Sequence, residues 1–334
     1  MMEPLNFVLS TKEAEYILTI ISEGNLTKAA QKLYISQPSL SQAIQKLEKG
    51  FGVPLFLREG HRIKPTFYGS RCAEVCSRMI KLCRDMANEF DETNNINRGS
   101  VIVGMPFNLS SYIFPVLYSI YQKKYPKIKV TPVEGTSQDL ESMLVSGNID
   151  IAVITLPCKN PVLECKKIFD ANMILSVPNG NRLNQYAVNK PGERHARLDI
   201  KLADREPFIL SPVGQKVYGV EQDIFKYAGI TPKIVFVTKN VETKKRMSAA
   251  GLGLAIFPEH YLDFYSSYSG ANYYYIDCDY ESHWTVGAVY RKDSFMPKAT
   301  ADCLSILTEL FEDYHPYSPN YDALNSPIKI VPKK

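Results

Sequence analysis

Apolar and polar positions follow several different rhythms along this 334-residue chain. Between Asn25 and Glu48 the rhythm is helical and comes in two short pieces. In the first, Ala29, Ala30 and Leu33 make an apolar stripe, with small residues where another helix can come close. In the second, Leu40, Ile44 and Leu47 recur at i, i+4 and i+7, the spacing of one buried helix face. Tyr34-Ile35 breaks the two. Ser36 is a good N-cap, and Pro38 falls in the first turn, where its missing N–H breaks no helical hydrogen bond. Leu55 to Arg58 and Arg62 to Thr66 then read as two short strands around the tight turn Glu59-Gly60-His61.

From Cys72 the period changes again. Cys72, Cys76, Met79, Cys83, Met86 and Phe90 are spaced 4, 3, 4, 3 and 4 apart, a heptad seam. Arg71, Glu74, Arg78, Lys81, Arg84, Asp85 and Glu89 lie between them and suit solvent. A helix with one narrow apolar stripe needs a partner, and a second copy of itself is the simplest one. Asn94 to Gly99 is a polar break. Beyond it, strands and helices alternate: Val101–Gly104, a helix from Ile113 to Tyr125, Lys129–Val133, a helix from Ser137 to Ser146, and Asp150–Ile154. That order predicts a parallel sheet with helices on its faces. Ile174–Val177, Phe208–Leu210 and Ile234–Val237 are further strands, and Val220 to Tyr227 is a helix ended by Gly229.

Composition sharpens this outline. The length fits two or three domains, and 45% hydrophobic with 22% charged residues is the balance of a globular protein with a sizeable core. The net charge of +4 is unevenly placed. From Leu26 to Arg71 there are eight Lys or Arg against Glu48 and Glu59, so this segment carries a surplus of six and the remainder sums to about −2. A local polyanion contact is the natural consequence. No secretory signal and no apolar run long enough to span a bilayer are visible, and seven cysteines lack disulfide-framework spacing. A cytoplasmic protein without membrane contact is expected.

The second helical piece carries the most telling chemistry. Its solvent face presents Pro38, Ser41, Gln42, Gln45 and Lys49, with Gln37 and Ser39 at the helix start. A merely solvated face would more usually be Lys and Glu. Gln and Ser both donate and accept hydrogen bonds, so they suit the edges of bases, and Gln pairs bidentately with adenine. The following hairpin can set Arg58, Arg62 and Lys64 against phosphates and bring His61 and Arg62 near a minor groove. The whole reads as a winged helix-turn-helix on double-stranded DNA.

The run Asn25-Leu26-Thr27-x-Ala29-Ala30-x-x-Leu33, Ser36-Gln37-Pro38-Ser39-Leu40-Ser41, Ile44-x-x-Leu47-Glu48, Gly52-x-x-Leu55-Phe56-x-Arg58 and Thr66-x-x-Gly69 resembles the DNA-binding domain of LysR-type transcriptional regulators. Asn25 where Ser is usual, Pro65 where an aliphatic residue is usual and Gln42 where Arg is common are its departures. Gly147 to Ala152 and Ala249 to Pro258 resemble the same family's effector domain, and the likeness covers about residues 5 to 312. It implies an α/β effector domain of two subdomains, like those of periplasmic solute-binding proteins, preceded by a winged helix-turn-helix and a long dimerisation helix. The expected divisions are 5–66 for the DNA-binding domain, 67–97 for the linker helix, 98–312 for the effector domain and 313–334 for a flexible tail. Thr27 joins the residues expected at DNA. The family's linker helix makes the dimer contact, which implies a homodimer or a dimer of dimers on a pseudo-palindromic promoter site, with RNA polymerase as a further partner.

That fold places a small-molecule effector between the subdomains, at strand ends and helix starts whose free N–H groups favour an anion. Asn108, Ser110, Ser111, Thr136, Ser137, Thr155, Ser211, Gln215, Thr238 and Lys239 would face it, with Lys239 the expected charged contact. Several of these hydroxyls are equally suited to capping helices.

No cofactor, metal or catalysis is expected. The five histidines at 61, 195, 260, 283 and 315 lack ligand spacing, and Gly251-Leu252-Gly253 is not followed by a third glycine in the dinucleotide pattern. Two alternatives stay open: a thiol-based redox-sensing regulator, or a cytoplasmic solute-binding protein or enzyme on the same two-lobed fold. The second would leave residues 1 to 66 unexplained.

Overall fold

The architecture is that of a computed structural model, which describes residues 9–59, 62–93, 99–264, 269–278, 283–292, 295–312 and 314. His61, the 94–98 break and residues 315–334 lie outside the described residues. The described chain opens with a helix that the pattern above does not single out, α1 (Thr11–Glu23). Ser10 Oγ accepts from the Glu13 N–H at 3.2 Å while the Glu13 carboxylate accepts from the Ser10 N–H at 2.9 Å, a reciprocal cap. Asn25 caps α2 (Leu26–Lys32) by accepting from the N–H groups of Thr27 and Lys28. Ser36 caps α3 (Gln37–Phe51) by accepting from Ser39 N–H, at the boundary read from sequence. The strands β1 (Phe56–Glu59) and β2 (Arg62–Pro65) pair antiparallel, with Arg58 opposite Ile63.

One apolar cluster holds this head together. Ala14, Ile17 and Ile20 of α1 meet Ala29 and Ala30 of α2, Leu40, Ile44 and Leu47 of α3, and Leu55, Phe56 and Ile63 of the hairpin. Glu48 fastens hairpin to helix, its carboxylate accepting from the N–H groups of Leu55 and Phe56 at 2.8 and 3.1 Å. Thr66 Oγ1 donates to Pro54 O, and a Cβ on Gly69 would stand 2.0 Å from Leu55 O. Only glycine fits that approach.

Helix α4 (Phe67–Thr93) follows, and it corrects the predicted seam. Cys76 is fully buried, and Cys72 and Met79 pack beside it on the head cluster, because α1 supplies their partner within the same chain. Cys83, Met86 and Phe90 are exposed, and Val75 and Leu82 join them as exposed apolar residues. Lys81 and Asp85, assigned to solvent by the pattern, are buried instead. Lys81 Nζ donates to Asp85 and to Asp150 Oδ1, each at 3.0 Å, and Arg84 Nη2 reaches the same Asp150 oxygen at 3.0 Å. Asp150 Oδ2 accepts from the Ile102 N–H at 2.8 Å. The long helix is thus pinned to the effector domain by an interleaved pair of acids and pair of bases.

That domain runs β3 (Gly99–Met105), α5 (Phe107–Lys124), β4 (Ile128–Glu134), α6 (Ser137–Ser146), β5 (Ile151–Thr155) and β6 (Leu163–Pro178). It continues through β7 (Arg197–Asp199), β8 (Pro207–Leu210), α7 (Lys216–Ala228), β9 (Lys233–Val237), α8 (Val241–Ala249) and β10 (Leu254–Pro258). The described elements close with α9 (His260–Phe264), β11 (Ala271–Asp277), β12 (His283–Arg291) and α10 (Lys298–Glu309). The strands order as β4-β3-β5-β12-β6-β10-β8-β9, with β11 between β6 and β7.

Lobe I comprises β4, β3, β5, β12 and the first part of β6; lobe II comprises the end of β6 with β10, β8, β9, β11 and β7. The predicted parallel sheet holds for β3 with β4 and β5, and for β8 with β9 and β10. It gives way to antiparallel pairing where β6 and β12 join the lobes. Only the apolar end of β6 stands out in the sequence, as Ile174–Val177, because Glu164 to Lys167 are exposed and break the apolar run. Packing continues past residue 312: Phe311 and Tyr314 stack on Phe169, and Tyr314 OH donates to Asp263 at 2.8 Å. No described helix is long and apolar enough to cross a membrane.

Candidate nucleic-acid interface and effector cleft

The α2–α3 pair presents a polar face whose buried side is wholly apolar. Pro38, Ser39, Gln42 and Gln45 are exposed, Gln37 and Ser41 are half-buried, and Thr27 stands exposed at the start of α2. Four of the residues expected at DNA, Ser39, Ser41, Arg58 and Lys64, already have partners within the chain. Ser39 Oγ lies 2.7 Å from Ser36 Oγ, Arg58 Nη2 donates to Ser41 Oγ at 3.0 Å, and Lys64 Nζ pairs with Glu59 at 2.8 Å. Nothing in the sequence marks the Arg58 contact. It lays the hairpin's guanidinium against the polar face of α3, so helix and wing form one surface. Arg62 is exposed on β2. The Lys64–Glu59 pair is mostly in solvent, where such a pair is worth little and is easily exchanged for phosphate.

In the effector domain the residues expected at the cleft do lie at the ends of parallel strands, but many hydroxyls are occupied. Phe107 to Ser111, which precede the helix expected from Ile113, form the first turns of α5. Ser111 Oγ donates back to Phe107 O at 2.7 Å, and Ser110 is buried. Thr136 caps α6, accepting from Asp139 N–H and donating to its carboxylate. Thr238 Oγ1 accepts from Asn240 N–H. Asn108 and Ser137 are half-buried, and Gln215 caps α7 through its backbone without a side-chain bond.

Ser211 is held inside lobe II. Its hydroxyl accepts from Lys244 Nζ at 2.8 Å and its N–H donates to Glu221 at 3.0 Å, while Lys244 and Glu221 pair directly. Both charged groups are shut from solvent, and burial pushes the Glu221 carboxyl up and the Lys244 ammonium down.

The cation that faces lobe I is a different lysine from the one predicted. Lys239 is exposed. Lys216, the first residue of α7, sends its Nζ across to the carbonyls of Thr155 and Pro157, at 3.3 Å from the latter. Glu141 Oε1 of α6 stands 3.8 Å away. Burial, opposed by Glu141, lowers the Lys216 ammonium below the ordinary lysine range. A groove of about 970 Å³ lies elsewhere, between the head side of α4 and α6, where Leu18, Arg71, Glu74, Gln138 and Ser142 line it. Among the described residues no three His, Cys, Asp or Glu side chains converge as metal ligands.

Comparison with known proteins identifies both halves. Residues 11–70 match the profile of the bacterial regulatory helix-turn-helix proteins of the lysR family, and residues 94–312 match the LysR substrate binding domain. The chain belongs to the LysR family. It is a DNA-binding transcriptional regulator with an effector-binding domain. Among similar helix-turn-helix regulators, YcgK of Bacillus subtilis (strain 168) is 29% identical over 259 residues, 75% of this chain and 80% of that protein. YybE of the same organism is 28% identical over 74% of this chain and 82% of its own length. The full-length OxyR of Pseudomonas aeruginosa shares the fold with a TM-score of 0.71 at 21% identity, covering 95% of this chain and all of that one. CbnR, solved in complex with its target DNA, aligns with a TM-score of 0.61 at 18% identity over 90% of this chain and 100% of that chain. At these identities the solved LysR structures speak for the fold alone.

Proposed function

We propose that this LysR-type regulator reads base edges through the exposed face of α3 and grips the DNA backbone through the hairpin. Gln37, Pro38, Ser39, Ser41, Gln42 and Gln45 approach bases or neighbouring phosphates, while Thr27, Arg58, Arg62 and Lys64 hold the backbone. The observation that carries this reading is the Arg58–Ser41 contact, which joins a cation to the amide and hydroxyl face of α3. Two copies, paired through the exposed stripe of Val75, Leu82, Met86 and Phe90, present two such heads to a pseudo-palindromic promoter. A homodimer, or a dimer of dimers, is the assembly this implies. A small molecule held between the lobes favours one arrangement of them, re-spaces the heads, and so changes DNA bending or contact with RNA polymerase. The protein works in the cytoplasm and catalyses no reaction.

A thiol switch draws no support from Cys158, whose thiol burial pushes up to about 11, leaving little thiolate near neutral pH.

The division of roles is tested by Arg58→Ala and Gln42→Ala on duplexes selected by the wild-type protein from a random pool and on unselected duplexes. Arg58→Ala weakens both about equally, and it flattens the slope of log affinity against log salt by about 0.9 for each phosphate no longer neutralised. Gln42→Ala costs about 1–3 kcal/mol on selected sites and little on unselected ones. Equal losses from both substitutions on unselected DNA refute the assignment.

A further inference from the structure

Lys216 is a place where the two lobes touch through a charge. It begins α7 in lobe II, and its acceptors belong to lobe I: Thr155 ends β5, Pro157 follows it, and Glu141 projects from α6. An ammonium carries three N–H groups. Two are directed at backbone carbonyls, and the Glu141 oxygen at 3.8 Å is beyond hydrogen-bond length for the third. The ammonium is therefore without a tight counter-ion, on a side chain that is 33% exposed. Cys158 and Cys165 are the other titratable groups that act on it, and burial pushes the Cys158 thiol up, away from thiolate.

We infer that Lys216 is the specificity-determining residue of the interlobe cleft and selects an effector that presents an oxyanion. This rests on the reading that the effector binds between the lobes. In this structure the ammonium ties the lobes together by borrowing the carbonyls of Thr155 and Pro157. A ligand entering there separates Lys216 from those carbonyls. A neutral ligand leaves a half-buried ammonium with poorer acceptors than before, a net loss. An anionic oxygen replaces them with an ion pair, supplying the counter-charge that neutral carbonyls lack. The same side chain that bridges the lobes thus rejects uncharged molecules from between them.

The test compares the full-length wild-type protein with Lys216→Met and Lys216→Arg, using inorganic sulfate as the probe against chloride at equal ionic strength. Amide hydrogen exchange is read by mass spectrometry over residues 151–160, 211–220 and 26–66. Lys216→Met raises exchange in both interlobe segments at least five-fold and leaves 26–66 unchanged. Sulfate slows exchange at 211–220 in the wild type and raises its Tm by about 3 °C more than that of Lys216→Met. Lys216→Arg retains both responses. Unchanged exchange at 151–160 in Lys216→Met, or an equal sulfate response in wild type and Lys216→Met, overturns the role of Lys216. Protection by sulfate that falls instead on the groove between α4 and α6 overturns the cleft reading on which it rests.

Discussion

The head and the effector domain keep their charges in opposite places. Among the described residues of the head, 9–59 and 62–66, every buried side chain is apolar apart from the Tyr16 hydroxyl, and every charged group reaches solvent. The effector domain buries Glu221, Lys244, Lys245, Glu259 and His260 within or beside its core. The head is stabilised by apolar contact and helix caps, which leaves its polar surface free to be complementary to DNA. The effector domain commits charges to its interior, where each must be matched by a partner brought from elsewhere in the chain. Two domains of one protein therefore have different weaknesses.

The largest effect belongs to the Lys244–Glu221 pair. Lys244→Met keeps the length of the side chain but leaves the Glu221 carboxylate fully buried with only Ser211 for company. Breaking a buried pair from one side costs about 3–5 kcal/mol. Hydrogen exchange should accelerate across β8 and β10 while α3 keeps wild-type protection. Adding Glu221→Leu should recover most of the loss, since an apolar replacement of both partners removes the unpaired charge. Acceleration in α3 of similar size would dissolve the distinction between the two domains.

A smaller effect follows from acid. His260 is fully enclosed, with its ring 5.2 Å from that of Phe169 and 4.2 Å from that of Tyr261, and burial lowers it to about 3. The unfolded chain takes up a proton near pH 6.5 and the folded one does not until about 3. Stability is thus complete above pH 6.5 and falls as pH drops toward 3, by about 1.4 kcal/mol at pH 5.5 from this group alone. Glu259, Asp263, Arg194 and His195 are the other charged and titratable groups of the same region. His260→Phe isolates the histidine: its denaturation midpoint should decline less between pH 7.5 and 5.5 than that of wild type. Parallel declines would remove His260 from the account.

Legibility in the sequence divides along the same line. Ser36, Pro38 and the Leu40, Ile44 and Leu47 stripe act within a few residues of themselves, so helix α3 can be placed from its own letters. Helix α1 is marked equally locally, through Ser10, Glu13 and the Ala14, Ile17 and Ile20 stripe, and without it Cys76 reads as part of a dimer seam. The strands and helices of the effector domain are visible by alternation, with α5 six residues short because Pro106 at its N-cap offers no side-chain bond. The charged contacts are not legible at all. Lys216 finds Thr155 across 61 residues and Lys81 finds Asp150 across 69, and nothing near either lysine marks it as different from a surface one. Conversely, Thr136 and Ser211 look like ligand contacts because a hydroxyl at a strand end serves a cap, an internal network or a ligand with the same local pattern.

The smallest effect tests whether the head is as locally determined as this implies. Ser36 Oγ accepts from the Ser39 N–H at 3.2 Å and shares a hydrogen bond with Ser39 Oγ at 2.7 Å. Ser36→Ala removes both, at a cost of about 1 kcal/mol for the cap. The loss should appear as faster exchange through α3 and leave β8 and β10 untouched, the mirror image of Lys244→Met. It also frees Ser39 Oγ at the start of α3, so DNA affinity should fall by no more than the lost helix order explains. Ser36→Asp restores the cap but sets a carboxylate beside the helix start, and it should recover stability while weakening DNA binding through charge repulsion with phosphate. If Ser36→Asp recovered both, the start of α3 would not be near the DNA backbone.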